Sequence, residues 1–335
     1  MTRGFLEQVA QEKGPTMQEF FRVIGMDRDS AVIRWGNFDW TLALSSKVFE
    51  PDDSGRSYRL KPNTRSIWMI DLTIEKVQAM FEIPDTIEAR RLGRAVGGRI
   101  VPESVQTTNS WGCRGPEPDC QAAVRGIVLG DSNMQGLLVG DSDSPPARLE
   151  TMLHNNLGVS VSILNTGHLG YSIEQYYHTL VAYFGRFRPH FVIIGICGND
   201  FGDVTKPANW DESDYWLGEL LQFCRTRALT TLVVPLTRED DMLGRRDESV
   251  YPGKLTSIYK GSGLNYVNPL EEFTDEHLRL RNIAIRAGKP FSNSPLFNRH
   301  LAGDNHLSPI GSELWAKIVA RRLQRIWDGK SRIEK

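Results

Sequence analysis

The rhythm of apolar and polar positions changes near residue 123. Downstream of it, compact apolar runs alternate with stretches of helical period. Residues 127–129, 159–165, 191–196 and 231–235 are short runs bounded by turn residues. That is the pattern of strands buried on both faces. A weaker run at 264–267 predicts a fifth strand. Between them, 146–157 is amphipathic and stops at Gly158, and 172–187 opens on Ser172 with Glu174 in its first turn. Both ends carry helix signals. Residues 216–225 and 271–287 also read as helices. The last helix starts at Ser308-Pro309, cap then proline at the first helical position, and runs to about Trp327. Alternation of this kind predicts a parallel sheet covered by helices on both faces.

Upstream of residue 123 the pattern is mixed. Residues 31–35, 40–44, 57–60 and 67–72 read as short strands, with turn residues at 51–55. Residues 74–81 and 86–92 read as helical, 5–23 carries helix signals broken at Gly14-Pro15, and 97–98 and 111–119 are irregular. The chain thus divides into an α+β extension over 1–123 and an α/β unit over 124–328. Trp35, Trp40, Trp68 and Trp111 are expected in cores, where aromatic residues dominate.

Composition narrows the function classes. The 335 residues are 40% hydrophobic and 24% charged, with a formal net charge of -1. That is globular, and it lacks the basic footprint of a nucleic-acid binder. The N-terminus has no signal-peptide pattern and no apolar run spans a bilayer, so a cytoplasmic protein is expected. The spacing of Cys113, Cys120, Cys197 and Cys224 matches no metal site. All four are expected to be structural, with a Cys113–Cys120 bridge left open.

Ligands on parallel sheets bind at the carboxyl ends of the strands, so the residues after each strand matter most. The first strand ends in Gly130-Asp131-Ser132-Asn133, a sharp turn that leads into a possible helix over 134–139. After the second comes Asn165-Thr166-Gly167-His168, after the third Gly198-Asn199-Asp200, and before the last helix Asp304-Asn305-His306. Gly, Asp, Ser and Asn also make ordinary turns, and a histidine beside a helix start is commonly a surface residue. Taken together at strand ends, these residues supply what acyl transfer needs. Ser132 is the candidate nucleophile, His306 the base, and Asp304 the group that orients the imidazole. The Ser132 and Gly167 N–H groups and the Asn199 side-chain amide are the candidate oxyanion donors. Gly167 suits close approach of substrate to backbone. His168 is a weaker rival base, since it would compete with substrate for the oxyanion site. Asp200 reads as a structural acid.

The four stretches resemble those of the SGNH hydrolases, also called GDSL-type esterases and lipases. Ser132 in Gly-Asp-Ser matches the first block and Gly167 in Asn-Thr-Gly the second. Asn199 in Gly-Asn-Asp matches the third, and His306 in Asp-Asn-His-Leu-Ser-Pro the last. The resemblance covers about residues 124–328. It implies a flavodoxin-like three-layer α/β/α sandwich and ester hydrolysis with no metal or cofactor. The stretch Asn109-Ser110-Trp111-Gly112-Cys113-Arg114-Gly115 also looks like a lead-in of members with an N-terminal extension. Two departures stand out. Asp304 lies two residues before His306 rather than three, and Met134 stands where a threonine is common.

The expectation is a serine esterase acting on a small-molecule, carbohydrate or lipid ester. An O-acyltransferase on the same site and a catalytically weak binding module are the alternatives. Because all four blocks follow residue 123, a chain starting near Gln121 is expected to keep some activity. The acyl chain, the alcohol and the oligomeric state leave no signal in the sequence.

Overall fold

Strand pairing puts Ser132, Gly167 and Asn199 just after the carboxyl ends of neighbouring strands. The computed structural model describes residues 31–35, 49–70, 104–137, 139–201, 210–244, 265–291, 294–298 and 306–333. Strands β1 (Ala31–Trp35), β4 (Arg65–Ile70) and β5 (Ser104–Thr107) form one small sheet, in the order β1-β4-β5. β2 (Phe49–Asp52) and β3 (Ser57–Leu60) form an antiparallel hairpin around the expected turn. The main sheet has β6 (Val124–Leu129), β7 (Val161–Asn165), β8 (Phe191–Ile196) and β9 (Thr230–Pro235), in the order β7-β6-β8-β9. All its pairings are parallel. This is the expected α/β architecture. Of the expected fifth strand, the described residues 265–267 pair through one bridge, Tyr266 beside Val233.

Side chains alternate between the two faces of a strand, and the core splits accordingly. Ile127 and Leu129 point to one side with Ile194 and Val233. There they meet α3 (Ile173–Phe187) and α4 (Trp210–Thr226) through Tyr176, Leu180, Leu217 and Leu220. Val128, Ile193 and Val234 point to the other side. There they meet α2 (Pro145–Leu157), α6 (Leu270–Arg286) and α7 (Pro309–Ile333) through Leu149, Phe273 and Trp315. All six residues of β8 are buried, and each such aliphatic or aromatic side chain contributes about 1.5–3 kcal/mol. The α3 start carries the expected Ser172 cap as a full capping box with Gln175.

Two residues expected in the extension belong to this core. Trp111 and Cys113 lie in the same apolar cluster as Ile127 and Tyr183. The Trp111 ring stacks on Tyr183 at 6.1 Å, and the Tyr183 hydroxyl donates to the Trp111 carbonyl at 2.9 Å. A chain starting near Gln121 would lack both side chains, which pack among Ile127, Tyr183 and Phe187. The side chains of Trp35 and Trp68 and the stretches 5–23, 40–44, 74–81, 86–92 and 97–98 lie outside what the structure describes.

Candidate active site

Strand order gives the site its place. β6 connects to β7 on one side, and β7 connects across to β8 on the other. The ends of β6 and β8 therefore border the point where the strand order reverses, the usual ligand crevice of open α/β sheets. Ser132 follows β6, Gly167 follows β7 and Asn199 follows β8.

Ser132 opens α1 (Ser132–Gln135), a helix of one turn. Asp131 caps it, accepting the Asn133 N–H at 2.9 Å. Gly136, with φ of +73°, ends it in the left-handed conformation that glycine tolerates. The expected helix over 134–139 thus stops after one turn.

His306 lies just before α7, and its Nε2 is 2.8 Å from Ser132 Oγ. When the hydroxyl donates, Nε2 offers a lone pair and the ring proton sits on Nδ1. The segment bearing His306 is held from both sides. The Asn298 N–H donates to the His306 carbonyl at 2.8 Å. Asn298 Nδ2 donates to the Leu307 carbonyl at 3.0 Å and to the Leu137 carbonyl at 3.3 Å. One amide therefore ties the segment of His306 to the stretch that follows Ser132.

Gly167 is pressed against α1. A Cβ there would sit 2.1 Å from Gln135 N and 2.3 Å from the Met134 carbonyl carbon, so only glycine fits. Its N–H donates to Asn165 Oδ1 at 3.0 Å. The expected oxyanion donor is thus already engaged by a neutral side-chain acceptor. Gln135 fixes the same loop: its Oε1 accepts the Leu169 N–H at 2.7 Å, and its Nε2 donates to Gln106 Oε1 at 3.1 Å.

Asn199 falls in the single turn Gly198–Phe201 that ends β8. Its neighbour Asp200 is buried and accepts the Cys197 N–H at 2.7 Å and the Tyr176 hydroxyl at 3.0 Å. Burial, and then the Asp131 carboxylate, push the Asp200 carboxyl well above its ordinary range. Asp200 so placed braces the turn, as a structural acid. Asp304 lies outside the described residues.

His168, the rival base, is 4% exposed and stacks on Tyr171 at 4.1 Å between Phe49 and Tyr58. Its Nδ1–H donates to the Leu169 carbonyl at 3.1 Å. Burial pulls its pKa down to about 3, so the ring is neutral. The four cysteines are free, and no Cys113–Cys120 bridge forms. Among the described residues, no group of three or more His, Cys, Asp or Glu side chains is arranged to hold a metal ion, and no helix is long and apolar enough to cross a membrane.

Sequence reasoning missed Asn165, Gln135, Asn298 and Arg114. The Asn109-to-Gly115 lead-in pointed near Arg114 but named no chemistry for it. Asn165 acts locally, its side chain closing an Asx turn onto the Gly167 N–H, whereas Gln135 and Asn298 act through contacts distant in sequence that no local pattern marks.

A family model described as the GDSL-like Lipase/Acylhydrolase family matches residues 128–314. No curated protein matches the chain. Among solved structures, a lipolytic protein of the G-D-S-L family from Veillonella parvula DSM 2008 is 15% identical, with a TM-score of 0.43. That match covers 59% of this chain and 97% of the other. The lipase/acylhydrolase from Enterococcus faecalis is 17% identical, with a TM-score of 0.41, over 60% of this chain and 95% of its own. The psychrotrophic esterase EstA from Pseudoalteromonas sp., inhibited by monoethylphosphonate, is 13% identical, with a TM-score of 0.43, over 61% of this chain and 98% of its own.

Proposed function

The chain belongs to the GDSL-like lipase/acylhydrolase family and is a hydrolase of ester bonds, and from that premise we propose that it is a serine esterase working through Ser132, His306 and Asp304. The observation that carries this reading is the 2.8 Å contact between Ser132 Oγ and His306 Nε2. Nucleophile and base at that distance meet the geometric requirement for proton transfer.

In this reading His306 takes the Ser132 proton as Oγ attacks the ester carbonyl. The tetrahedral intermediate collapses, His306 gives its proton to the leaving alcohol, and an acyl-enzyme remains. Water then attacks by the same route and frees the acid. Asp304 would hold the imidazole with Nδ1 protonated and stabilise the imidazolium.

The oxyanion would be met by the Ser132 N–H, the Gly167 N–H and the Asn199 amide. The Gly167 N–H would exchange Asn165 Oδ1 for the oxyanion. A charged acceptor binds an N–H about twice as strongly as a neutral one, so the exchange favours the transition state over the resting site. The substrate is then a carboxylic ester of a small-molecule, carbohydrate or lipid alcohol. The catalytic unit would reach upstream of residue 124 to include the core residues Trp111, Cys113 and Arg114.

The test is covalent labelling. A fluorophosphonate should modify Ser132 alone, read by intact mass and peptide mapping, and Ser132→Ala should lose both labelling and p-nitrophenyl acetate hydrolysis. Labelling at another residue, or full hydrolysis by Ser132→Ala, would sink the assignment.

A further inference from the structure

The helix that carries Ser132 is a single turn, capped by Asp131 and closed by Gly136. A single turn fixes several dihedrals for one hydrogen bond and is unfavourable by itself. Further support comes from the loop over 109–116. Asn109 Oδ1 accepts the N–H groups of Trp111 at 3.0 Å and Cys113 at 3.1 Å. The Asn109 N–H donates to the Cys113 carbonyl at 2.9 Å, and the Arg114 N–H donates to the Asn165 carbonyl at 3.2 Å. The backbone of Arg114 is thus pinned beside β7 before its side chain begins.

That side chain is 1% exposed. Its Nη1 donates to the carbonyls of Gln135 and Gly136, the latter at 2.5 Å. Its Nη2 donates to the Val139 carbonyl at 2.5 Å, and its Nε to Asp141 Oδ1 at 3.1 Å. The carbonyls at a helix C-terminus carry partial negative charge, and a cation is favoured there. Burial lowers the Arg114 pKa to about 10, against the pull of Asp141, so it stays charged at neutral pH. Asp141 is anchored in turn by the Thr107 N–H at 3.0 Å and the Thr107 hydroxyl at 2.5 Å.

We propose that Arg114 is a positioning residue of the esterase site, whose guanidinium gathers the three carbonyls after Ser132 and so fixes the direction in which the Ser132 hydroxyl meets His306. The proposal rests on Ser132 being the nucleophile. A planar fork with several donors matches three carbonyls and a carboxylate, whereas an ammonium is one point of charge. Lysine keeps the charge and loses the fork, which separates positioning from plain electrostatics.

The experiment compares the full chain with Arg114→Lys and Arg114→Ala. Folding is checked by near-UV circular dichroism, and active sites are counted by fluorophosphonate burst. Rates on p-nitrophenyl acetate are then expressed per counted site. Misplacing a reacting group by about 1 Å costs up to about a hundredfold, so both folded variants should lose roughly ten- to a hundredfold in kcat with KM nearly unchanged. Ethylguanidinium, but not ethylammonium, should restore part of kcat in Arg114→Ala. Wild-type kcat per site in folded Arg114→Lys would overturn the proposal. So would failure of both variants to fold, since Arg114 would then serve the fold and not the site. A wild-type chain that fluorophosphonate does not label at Ser132 refutes the underlying esterase reading, whatever the Arg114 variants do.

Discussion

Acidification should destabilise this protein through His168, by an amount the structure sets. The ring is neutral and closed in, with a pKa of about 3 against an ordinary 6.5. In the unfolded chain it regains the ordinary value. Between those two values the unfolded state binds the proton that the folded state refuses, so stability rises with pH across that window. The contribution is fully present above about pH 6.5 and drains away as pH falls toward 3. A shift of about 3.5 units at 1.36 kcal/mol per unit gives a limit near 5 kcal/mol. Between about pH 7 and pH 4 the loss is about 3 kcal/mol. Other groups titrate in the same range; the raised Asp200 carboxyl opposes the trend, because its folded form holds a proton longer. The assay must therefore subtract them. Urea unfolding of wild type and His168→Phe at both pH values does so, since phenylalanine keeps the aromatic packing and cannot titrate. Wild type should lose about 3 kcal/mol more than the variant. Equal losses would refute the reasoning and mean that the buried ring is solvated or charged in solution.

Asn199→Ala should lower kcat by about 10²–10³ with little change in KM, because a side-chain oxyanion donor acts on charge that develops only in the transition state; steady-state kinetics with unchanged kcat would make Asn199 a turn residue. Asp304→Asn should stay folded and lose at least about tenfold in kcat, against as much as 10⁴ where an aspartate fixes the tautomer, and near-normal turnover would mean that Ser132 and His306 work as a dyad. A chain beginning at Gln121 forfeits Trp111 and Arg114. Deleting one buried tryptophan side chain costs about 3–5 kcal/mol, a large part of a total near 5–15 kcal/mol, so soluble yield and near-UV dichroism should collapse; a well-folded product would show that the 109–116 loop is dispensable.

The legible parts of the fold were those written in local pattern. β8 is six apolar residues in a row and was read at its observed bounds. The α3 cap at Ser172 and the proline opening α7 are local chemistry, and both stand where they were expected. The one-turn length of α1 was harder. Its stop is a left-handed Gly136, and the carbonyl there is taken by Arg114, a contact 22 residues apart in sequence. The weak fifth run is seen, over its described residues 265–267, as a single parallel bridge to Val233. At the site, the strand-end residues were visible as residue types, and Ser132 and His306 meet at 2.8 Å although 174 residues apart. Hidden from sequence was that the Gly167 N–H is held by Asn165, a contact set by backbone conformation. The burial of His168 was also hidden, since Phe49 and Tyr58 come from a hairpin more than a hundred residues earlier.

Asn298 has a consequence for how such a chain tolerates change. His306 is held near Ser132 by the Asn298 amide, eight residues before it in the chain, which also grips the Leu137 carbonyl beyond the Ser132 turn. The distance between Ser132 and His306 therefore does not depend on the length of the chain that leads from β9 to residue 298. Doubling a flexible loop costs only about 0.6 kcal/mol in closure entropy. Insertions upstream of residue 294 can reshape the surroundings of the site while Ser132 and His306 keep their spacing. Insertions between residues 298 and 306 have no such insulation, because they lengthen a span whose two ends are bonded to each other.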